Sequence, residues 1–174
     1  MEKILARAAG LSLMGFDVDG VLTDGTLYYT AQGDAMKAFS SLDGHGLKLL
    51  QQAGIEVVII SGRASAALEL RAMNLGIDGL YMGIEDKRKA MADILHQRGM
   101  DFSAAGYMGD DIVDLPLLMA CGFSATVADG HDEVVSRVDY TAQKVGGRGA
   151  VREVCELILR AQGKWDALLS AYLE

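Results

Sequence analysis

Short apolar runs alternate with helical patterns along most of the chain. The apolar runs predict strands at 13–16, 55–60, 79–82, 105–108 and 123–127. The intervening periodicity predicts helices at 46–53, 64–75, 86–97, 114–120 and 150–161. Strands that alternate with helices are typical of a parallel sheet covered on both faces. The pattern therefore predicts an α/β fold with a Rossmann-like, doubly wound parallel sheet.

One segment breaks this alternation. Residues 26–39 contain two strand-like pieces around Ala31, Gln32, Gly33 and Asp34, which predicts a β-hairpin inserted after the first strand. The hairpin carries apolar side chains that have no obvious core to cover, and a lone hairpin is marginal in water. We therefore expect hairpins from several subunits to pair, and a homotetramer follows if the paired hairpins close as a ring.

The C-terminal tail, at about 163–174, shows a single apolar stripe at helical spacing. Its members are Trp165, Leu168, Leu169, Tyr172 and Leu173. The stripe is compatible with two arrangements, docking of the tail on its own subunit or extension of the tail toward a neighbour's site. Both arrangements stay open at the level of sequence.

Composition narrows the range of partners. The chain has 174 residues, which predicts a single domain over 1–174, and its net charge of −8 argues against a nucleic-acid partner. No apolar run approaches the roughly 20 residues of a membrane span, and the N-terminus does not resemble a signal peptide. Cys121 and Cys155 lie in apolar stretches, as buried thiols of a reducing compartment do. We therefore predict a cytoplasmic protein that binds no membrane.

Two carboxylates follow the first predicted strand directly. Asp17 and Asp19 lie two residues apart, so in an extended chain they point the same way. They fall at the carboxyl end of a strand, where open α/β sheets bind their ligands. Burying two neighbouring acids is costly without a cation or hydrogen bonds. The pair is either a solvated turn or part of a cation site.

Three further elements fall at the same edge of the predicted sheet. Ser61 follows the second strand at a predicted helix N-terminus, which favours either phosphate binding or a serine N-cap. Lys87 lies near the start of the next helix and is by itself compatible with a solvated face. Three acids, Asp110, Asp111 and Asp114, follow a later strand and predict a site for a hard cation unless they form a surface turn.

Together these side chains suit phosphoryl transfer. Asp17 and Asp110 are expected to hold Mg²⁺. The metal and Lys87 neutralise the phosphate, Asp17 attacks phosphorus to give an acyl phosphate, and Ser61 orients the phosphoryl oxygens. Asp19 protonates the leaving alkoxide and later takes a proton from the attacking water. The sequence therefore predicts a phosphatase.

The order of these elements resembles the haloacid dehalogenase superfamily of phosphatases. The resemblance implies that Asp17 is the nucleophile and Asp19 the general acid and base. It also implies Mg²⁺ ligands from Asp17, the Asp19 backbone carbonyl and Asp110. Asp111 and Asp114 then support the metal shell.

A closer resemblance, to the bacterial 3-deoxy-D-manno-octulosonate 8-phosphate phosphatases, covers nearly the whole chain. It is carried by Gly25-Thr26-Leu27, Phe39, Asp43-Gly44-x-Gly46, Ser61-Gly62-Arg63, Leu75-Gly76-Ile77, Val127-Ala128-Asp129 and the segment 146–153. The resemblance implies a cytosolic, tetrameric, Mg²⁺-dependent enzyme that acts on a small phosphorylated sugar acid, with a product used in lipopolysaccharide synthesis. The expected substrate contacts are Asp19, Asp43, Gly44, Gly62, Arg63, Arg71, Lys87, Arg148 and Arg152.

The spacing of the elements leaves no room for a cap. The intervals from Asp19 to Ser61 and from Ser61 to Lys87 are too short for a folded cap domain beside the elements they already hold. A capless site is open to water, so we expect a neighbouring subunit to cover it, with Arg148 or Arg152 reaching the substrate's charge.

Other functions remain as alternatives at this stage. They are a phosphatase for a nine-carbon sugar acid 9-phosphate, a receiver-type phospho-accepting signalling domain and a non-catalytic scaffold. The receiver interpretation is disfavoured because receiver domains carry their phospho-acceptor on a middle strand, apart from their acidic pair. In this chain the candidate acceptor, Asp17, is itself a member of the acidic pair that follows the first strand.

Overall fold

The computed structural model describes residues 2–31 and 33–173, and Gln32 of the predicted turn lies outside the described residues. In chain order the strands are β1 (Leu13–Phe16), β2 (Tyr28–Thr30), β3 (Gly33–Met36), β4 (Glu56–Ile60), β5 (Gly79–Tyr81), β6 (Ala105–Met108), β7 (Phe123–Thr126) and β8 (Tyr140–Thr141). The α-helices are α1 (Glu2–Ala9), α2 (Ser41–Gln52), α3 (Ala66–Leu75), α4 (Lys87–Gln97), α5 (Leu115–Leu118), α6 (Asp132–Val135), α7 (Ala150–Ala161) and α8 (Trp165–Ser170).

Within the described residues, six strands form one open parallel sheet in the spatial order β5-β4-β1-β6-β7-β8. β1 lies at its centre, and Phe16 is in register with Ile59 of β4 and Met108 of β6. The segments that follow these three strands therefore emerge at the same edge. This confirms the predicted doubly wound sheet and explains why distant acids of the sequence meet.

The sheet is buried on both faces. Along β4, Val57 and Ile59 pack in one apolar cluster, whereas Val58 and Ile60 pack in the other. The first cluster lies under α1, α2, α3 and α7, and the second lies under α4 and α5. A β-branched run with no polar alternation is expected of a central strand that is covered on both sides.

β2 and β3 pair antiparallel outside this sheet and form the predicted inserted hairpin. Its side chains stay accessible: Tyr28 is 43%, Tyr29 60% and Met36 58% exposed. No helix among the described residues combines the length and the apolar character needed to cross a membrane.

Two helices begin at other residues than the sequence pattern predicts. α2 begins at Ser41 and not at residue 46, because Ser40 caps it by accepting a hydrogen bond from the Asp43 backbone N–H at 3.3 Å. Gly46 lies inside the helix, where a side chain would meet Arg152 of α7 at 3.1 Å. Its presence reflects close helix packing and not a helix boundary. The sequence pattern also missed α1, α6 and β8, which are short elements.

The third helix begins at Ala66 and not at residue 64. Ser61 therefore precedes the helix by five residues and does not cap it. Arg63 also lies outside α3, although the predicted helix 64–75 begins directly after it, whereas Arg71 lies within α3.

Candidate active site

Asp17 follows β1 at the centre of the sheet edge. Its backbone N–H donates to the carbonyl of Met108 at 2.9 Å, which extends the pairing of β1 with β6. The residue is 7% exposed, and Lys87 Nζ lies 2.8 Å from its Oδ1. Burial raises the pKa of Asp17 to about 6, and the Asp114 charge adds to this rise while Lys87 opposes it. The carboxylate is thus buried and faces a cation, as an attacking nucleophile requires.

Lys87 is buried between two carboxylates instead of being solvated. Its Nζ lies 2.7 Å from Asp114 Oδ1 as well as 2.8 Å from Asp17. Burial lowers the pKa of Lys87, but the charges and hydrogen bonds of Asp17 and Asp114 outweigh it and raise the pKa above its ordinary value. Lys87 therefore stays an ammonium and supplies a fixed positive charge.

Asp114 is fully buried and supports this network. Besides Lys87, its Oδ1 accepts from the Tyr107 hydroxyl at 3.4 Å. Its Oδ2 accepts from the backbone N–H groups of Asp110 and Asp111 at 3.1 and 3.3 Å. Asp111 is exposed and caps the short turn that follows. The turn thereby fixes the direction of the Asp110 side chain.

Asp110 faces Asp17 and lacks a compensating donor. Its Oδ1 is buried and has no hydrogen-bond partner among the described residues. Burial raises the pKa of Asp110 to about 8, with further contributions from Asp17 and Asp114. Gly20 has φ of 95°, which residues with a side chain rarely adopt, and a side chain there would meet Asp110 Oδ2 at 2.1 Å. An orphaned carboxylate oxygen among other acids marks a place for a cation.

The acidic cluster fits a hard divalent cation. Oxygens of Asp17, Asp110 and Asp114 lie within 4.8 Å of one another. Because both oxygens of Asp114 already accept hydrogen bonds, Asp17 and Asp110 offer the ligand atoms that remain. Magnesium prefers such carboxylate oxygens together with water.

Asp19 lies at the mouth of the site between two cations. Lys37 Nζ lies 2.5 Å from its Oδ1, and Arg63 Nε lies 3.7 Å from its Oδ2. Lys37 was not among the residues predicted from sequence. A lone lysine beside an exposed hairpin strand resembles a solvated edge residue, so no sequence signal distinguishes it.

The segment after β4 forms the opposite wall. Ser61 is 1% exposed, and its Oγ accepts from the Arg63 backbone N–H at 3.2 Å. Its own backbone bonds Tyr81 and Ile84, which ties the turn to the segment after β5. The cleft between these walls has a volume of about 460 Å³ and is lined by Asp17, Asp19, Gly62, Arg63, Ile84, Glu85, Lys87, Asp110, Asp111 and Val113.

Asp43 and Gly44 lie outside the lining of this cleft. Asp43 is 1% exposed, and its carboxylate accepts from the backbone N–H groups of Gly149 and Arg152 at 3.2 and 2.9 Å. It thereby joins α2 to the start of α7. A side chain at Gly44 would meet the Arg71 guanidinium at 2.1 Å. Their role as substrate contacts stays a prediction.

Three of the arginines predicted to contact the substrate, Arg71, Arg148 and Arg152, also lie outside the cleft lining. Arg71 Nη2 donates to the Ser40 carbonyl at 3.2 Å. Arg152 pairs with Glu156 at 2.7 Å, and Arg148 is largely exposed, with Asp24 3.9 Å away. Their assignment to the substrate likewise stays a prediction.

The glycine-rich segment before α7 packs under the catalytic loop of its own chain. Gly147 N–H donates to the Val21 carbonyl at 2.9 Å, and a side chain at Gly146 would meet the Gly20 carbonyl oxygen at 1.9 Å. Arg148, one of the two arginines that we expect to reach the substrate in a neighbour's site, lies in this segment. In the described chain, its first two glycines contact the loop that carries Asp17 and Asp19.

Comparison with known proteins identifies the relatives of this chain. No family model matches it. The 3-deoxy-D-manno-octulosonate 8-phosphate phosphatase KdsC of Escherichia coli (strain K12) is 43% identical over 163 residues, which are 94% of this chain and 87% of that protein. The chain belongs to the 3-deoxy-D-manno-octulosonate 8-phosphate phosphatase family. This confirms the resemblance to that family and to the haloacid dehalogenase superfamily.

Solved structures agree in fold over nearly the full length. The phosphatase of this family from Moraxella catarrhalis, in complex with a magnesium ion, a phosphate ion and KDO, gives a TM-score of 0.96 at 41% identity and covers 99% of both chains. The cobalt-bound form from Haemophilus influenzae gives 0.92 at 41% identity, over 97% of this chain and 99% of that one. Neither the nine-carbon substrate nor a receiver-type signalling domain is favoured by these relatives.

Proposed function

We propose that the chain hydrolyses 3-deoxy-D-manno-octulosonate 8-phosphate to the free sugar acid and inorganic phosphate. The observation that carries the proposal is the meeting of Asp17, Lys87 and Asp110 in one cleft, with Asp110 Oδ1 buried and unpartnered. Family membership supports the substrate, whose product enters lipopolysaccharide precursor synthesis.

In this proposal Mg²⁺ is held by Asp17, the Asp19 carbonyl and Asp110, and when bound it neutralises phosphate charge and orients the phosphoryl group. Lys87, fixed by Asp114, supplies a second positive charge for the phosphoryl oxygens. Gly62 and Arg63 line the cleft and contact the substrate in this proposal.

Asp17 attacks phosphorus in line as the bond to the sugar oxygen breaks, which gives an aspartyl phosphate. Asp19 donates a proton to the departing alkoxide and then accepts one from the water that hydrolyses the aspartyl phosphate. The hydrolysis returns Asp17 and releases phosphate. Ser61 holds the turn of Gly62 and Arg63 through its hydroxyl.

The decisive test is phosphate release from this substrate by the wild type and by Asp17→Asn. The variant keeps the size of the side chain and loses the nucleophile, so we expect turnover to fall by on the order of 10⁴-fold or more. Asp93→Asn makes the same chemical change at an exposed position of α4 and serves as the matched control. Turnover near the wild-type level in folded Asp17→Asn would sink the mechanism.

The substrate is tested with the same assay. A panel that includes a nine-carbon sugar acid 9-phosphate should give the highest kcat/KM with 3-deoxy-D-manno-octulosonate 8-phosphate. Removal of divalent cations with a chelator should abolish release without unfolding the protein, because the cation site lies at a strand edge and not in a structural cage. A preference for the nine-carbon compound would overturn the proposed substrate.

We also propose that the protein works as a homotetramer in the cytoplasm. The exposed hairpin side chains Tyr28, Tyr29 and Met36 support assembly, since a partner would bury them. A neighbouring subunit is also the simplest cover for a site that has no cap.

A further inference from the structure

Lys37 directly follows β3 of the hairpin and points into the protein. Its side chain is 2% exposed, and its Nζ lies 2.5 Å from Asp19 Oδ1. The second oxygen of Asp19, Oδ2, is 3.7 Å from Arg63 Nε, which is beyond hydrogen-bond distance. The two oxygens of this carboxyl group therefore have different surroundings.

The inward direction of Lys37 has an energetic cost. A lysine beside a short exposed strand ordinarily extends its ammonium into water, and burying that ammonium is unfavourable unless a partner compensates its charge. The compensating charge among the described residues is Asp19. A buried lysine that meets the acid of a catalytic cleft is better explained by that acid than by the stability of the hairpin.

Building on the proposed function, we propose that Lys37 is a positioning residue for general acid–base catalysis by Asp19. The ammonium donates to Oδ1 and holds the carboxyl group by that oxygen. The catalytic proton then resides on Oδ2, on the side of Arg63. It moves from Oδ2 to the leaving oxygen as the P–O bond breaks, and Oδ2 later takes a proton from the attacking water.

The hairpin supports this geometry from both strands. While β3 leads into Lys37, the hydroxyl of Tyr29 in β2 accepts a hydrogen bond from Arg63 Nη1 at 3.0 Å. The hairpin therefore contacts both groups that flank the cleft mouth, Asp19 and Arg63. Its position sets the distance between the proton donor and the wall that receives the substrate.

The test uses leaving groups that differ in their need for a proton. The parameter kcat/KM reports the transfer of phosphate to Asp17, the step in which the leaving group departs. We expect Lys37→Met to lower kcat/KM by about 10²-fold for the sugar phosphate, whose alkoxide must be protonated. For a dinitrophenyl phosphate, whose phenolate leaves without protonation, we expect a loss below about fivefold.

Two further variants complete the experiment. Lys37→Arg keeps a cation at the same place and should recover part of the loss, whereas Lys48→Met removes an exposed lysine from α2 and should match the wild type. Thermal unfolding of each variant establishes that it is folded. A series of aryl phosphates should show a steeper dependence on the leaving group in Lys37→Met than in the wild type.

The outcomes separate this inference from the proposed function. Equal losses on all substrates, or no loss on any, would overturn the role of Lys37, as would a raised KM with an unchanged leaving-group dependence. Wild-type protein that hydrolyses aryl phosphates and not the sugar phosphate would instead contradict the proposed substrate. The aryl series would still decide the role of Lys37.

Discussion

At the scale of single residues, the acidic cluster opposes the folded state when no cation is bound. The pKa of Asp110 is raised to about 8 and that of Asp17 to about 6, in both cases mainly by burial. Above these values the folded protein holds neighbouring negative charges away from water. Asp114 does not add an unpaired charge, because Lys87 and two backbone N–H groups compensate it.

The raised pKa of Asp110 predicts how Asp110→Asn changes the stability of the metal-free protein. A carboxyl group whose folded pKa is raised stabilises the fold at low pH, and this contribution is lost as pH rises from the ordinary 3.8 to about 8. The metal-free variant should therefore have a higher Tm than the wild type at pH 8. Its Tm should also decrease less as the pH rises toward 8. Thermal unfolding across this range measures both effects.

The same variant should lose stabilisation by Mg²⁺. A ligand present at 100 times its Kd stabilises the folded state by about 2.7 kcal/mol, so a shift in wild-type Tm with Mg²⁺ should shrink in Asp110→Asn. Asp93→Asn again provides the exposed control. If the metal-free variant were less stable than the wild type at pH 8, the description of Asp110 as an uncompensated acid would be wrong.

At the scale of elements, the loop that carries Asp17 and Asp19 is braced by the glycine-rich segment before α7. Gly146 N–H donates to Asp129 Oδ1 at 3.0 Å, and Gly147 N–H donates to the Val21 carbonyl. Both glycines approach the backbone of the catalytic loop too closely for a side chain. The loop backbone just after Asp19, from Gly20 to Asp24, is thus held by a segment distant in sequence.

We therefore predict that Gly147→Ala weakens Mg²⁺ binding far more than Gly163→Ala. Both residues have left-handed backbones, with φ of 63° and 65°, so each substitution carries a strain of about 1–2 kcal/mol. A side chain at Gly147 meets Thr23 and Asp24 at under 3 Å, whereas at Gly163 no atom lies within 4 Å. Calorimetric titration with Mg²⁺ and unfolding in urea separate the two effects. Equal Mg²⁺ affinities in the two variants would refute the brace.

At the scale of the whole molecule, the tail docks on its own chain in the described structure. Trp165 is 9% exposed and lies under the guanidinium of Arg160, 4.7 Å from its ring centre. Further along, the Tyr172 hydroxyl lies 2.9 Å from His45 Nε2. The tail is therefore buried at its start, at Trp165, and exposed at its end.

Because Trp165 is buried and the end of the tail is exposed, two truncations distinguish a role of the tail in folding from a role in covering the site. A stop after Gly163 removes Trp165 and should destabilise the fold, because truncating a buried tryptophan costs about 3–5 kcal/mol. A stop after Ser170 keeps Trp165 and should leave the Tm and the assembly unchanged. If the tail end covers a site, that variant should lose activity on the sugar phosphate and retain it on aryl phosphates.

Light scattering on the intact protein and on both truncated forms measures the assembly. We expect a tetramer for the intact protein and for the stop after Ser170. A stable and fully active monomer at working concentration would refute the proposed assembly. Full activity of the protein that stops after Ser170 would exclude the removed end of the tail from the site.

Sequence alone determined five of the six described strands of the sheet, the chain order of its main elements and the acids at its edge. Apolar β-branched runs are buried wherever they occur, and glycine-flanked acids that follow them fall at one edge because parallel strands align their ends. Periodicity therefore sufficed for the strands from Leu13–Phe16 to Phe123–Thr126. The residue pattern also carries the resemblance to the family, which the relatives confirm.

Tertiary structure decided the contacts that carry no local pattern. The direction of Lys37, the burial of Lys87 between Asp17 and Asp114, and the closeness of Gly146 to the catalytic loop depend on which segments meet in space. The start of α2 at Ser41 likewise depended on the Ser40 cap and on packing against α7, which override local propensity. A chemical role follows from a residue's neighbours, and the neighbours of these residues are distant in sequence.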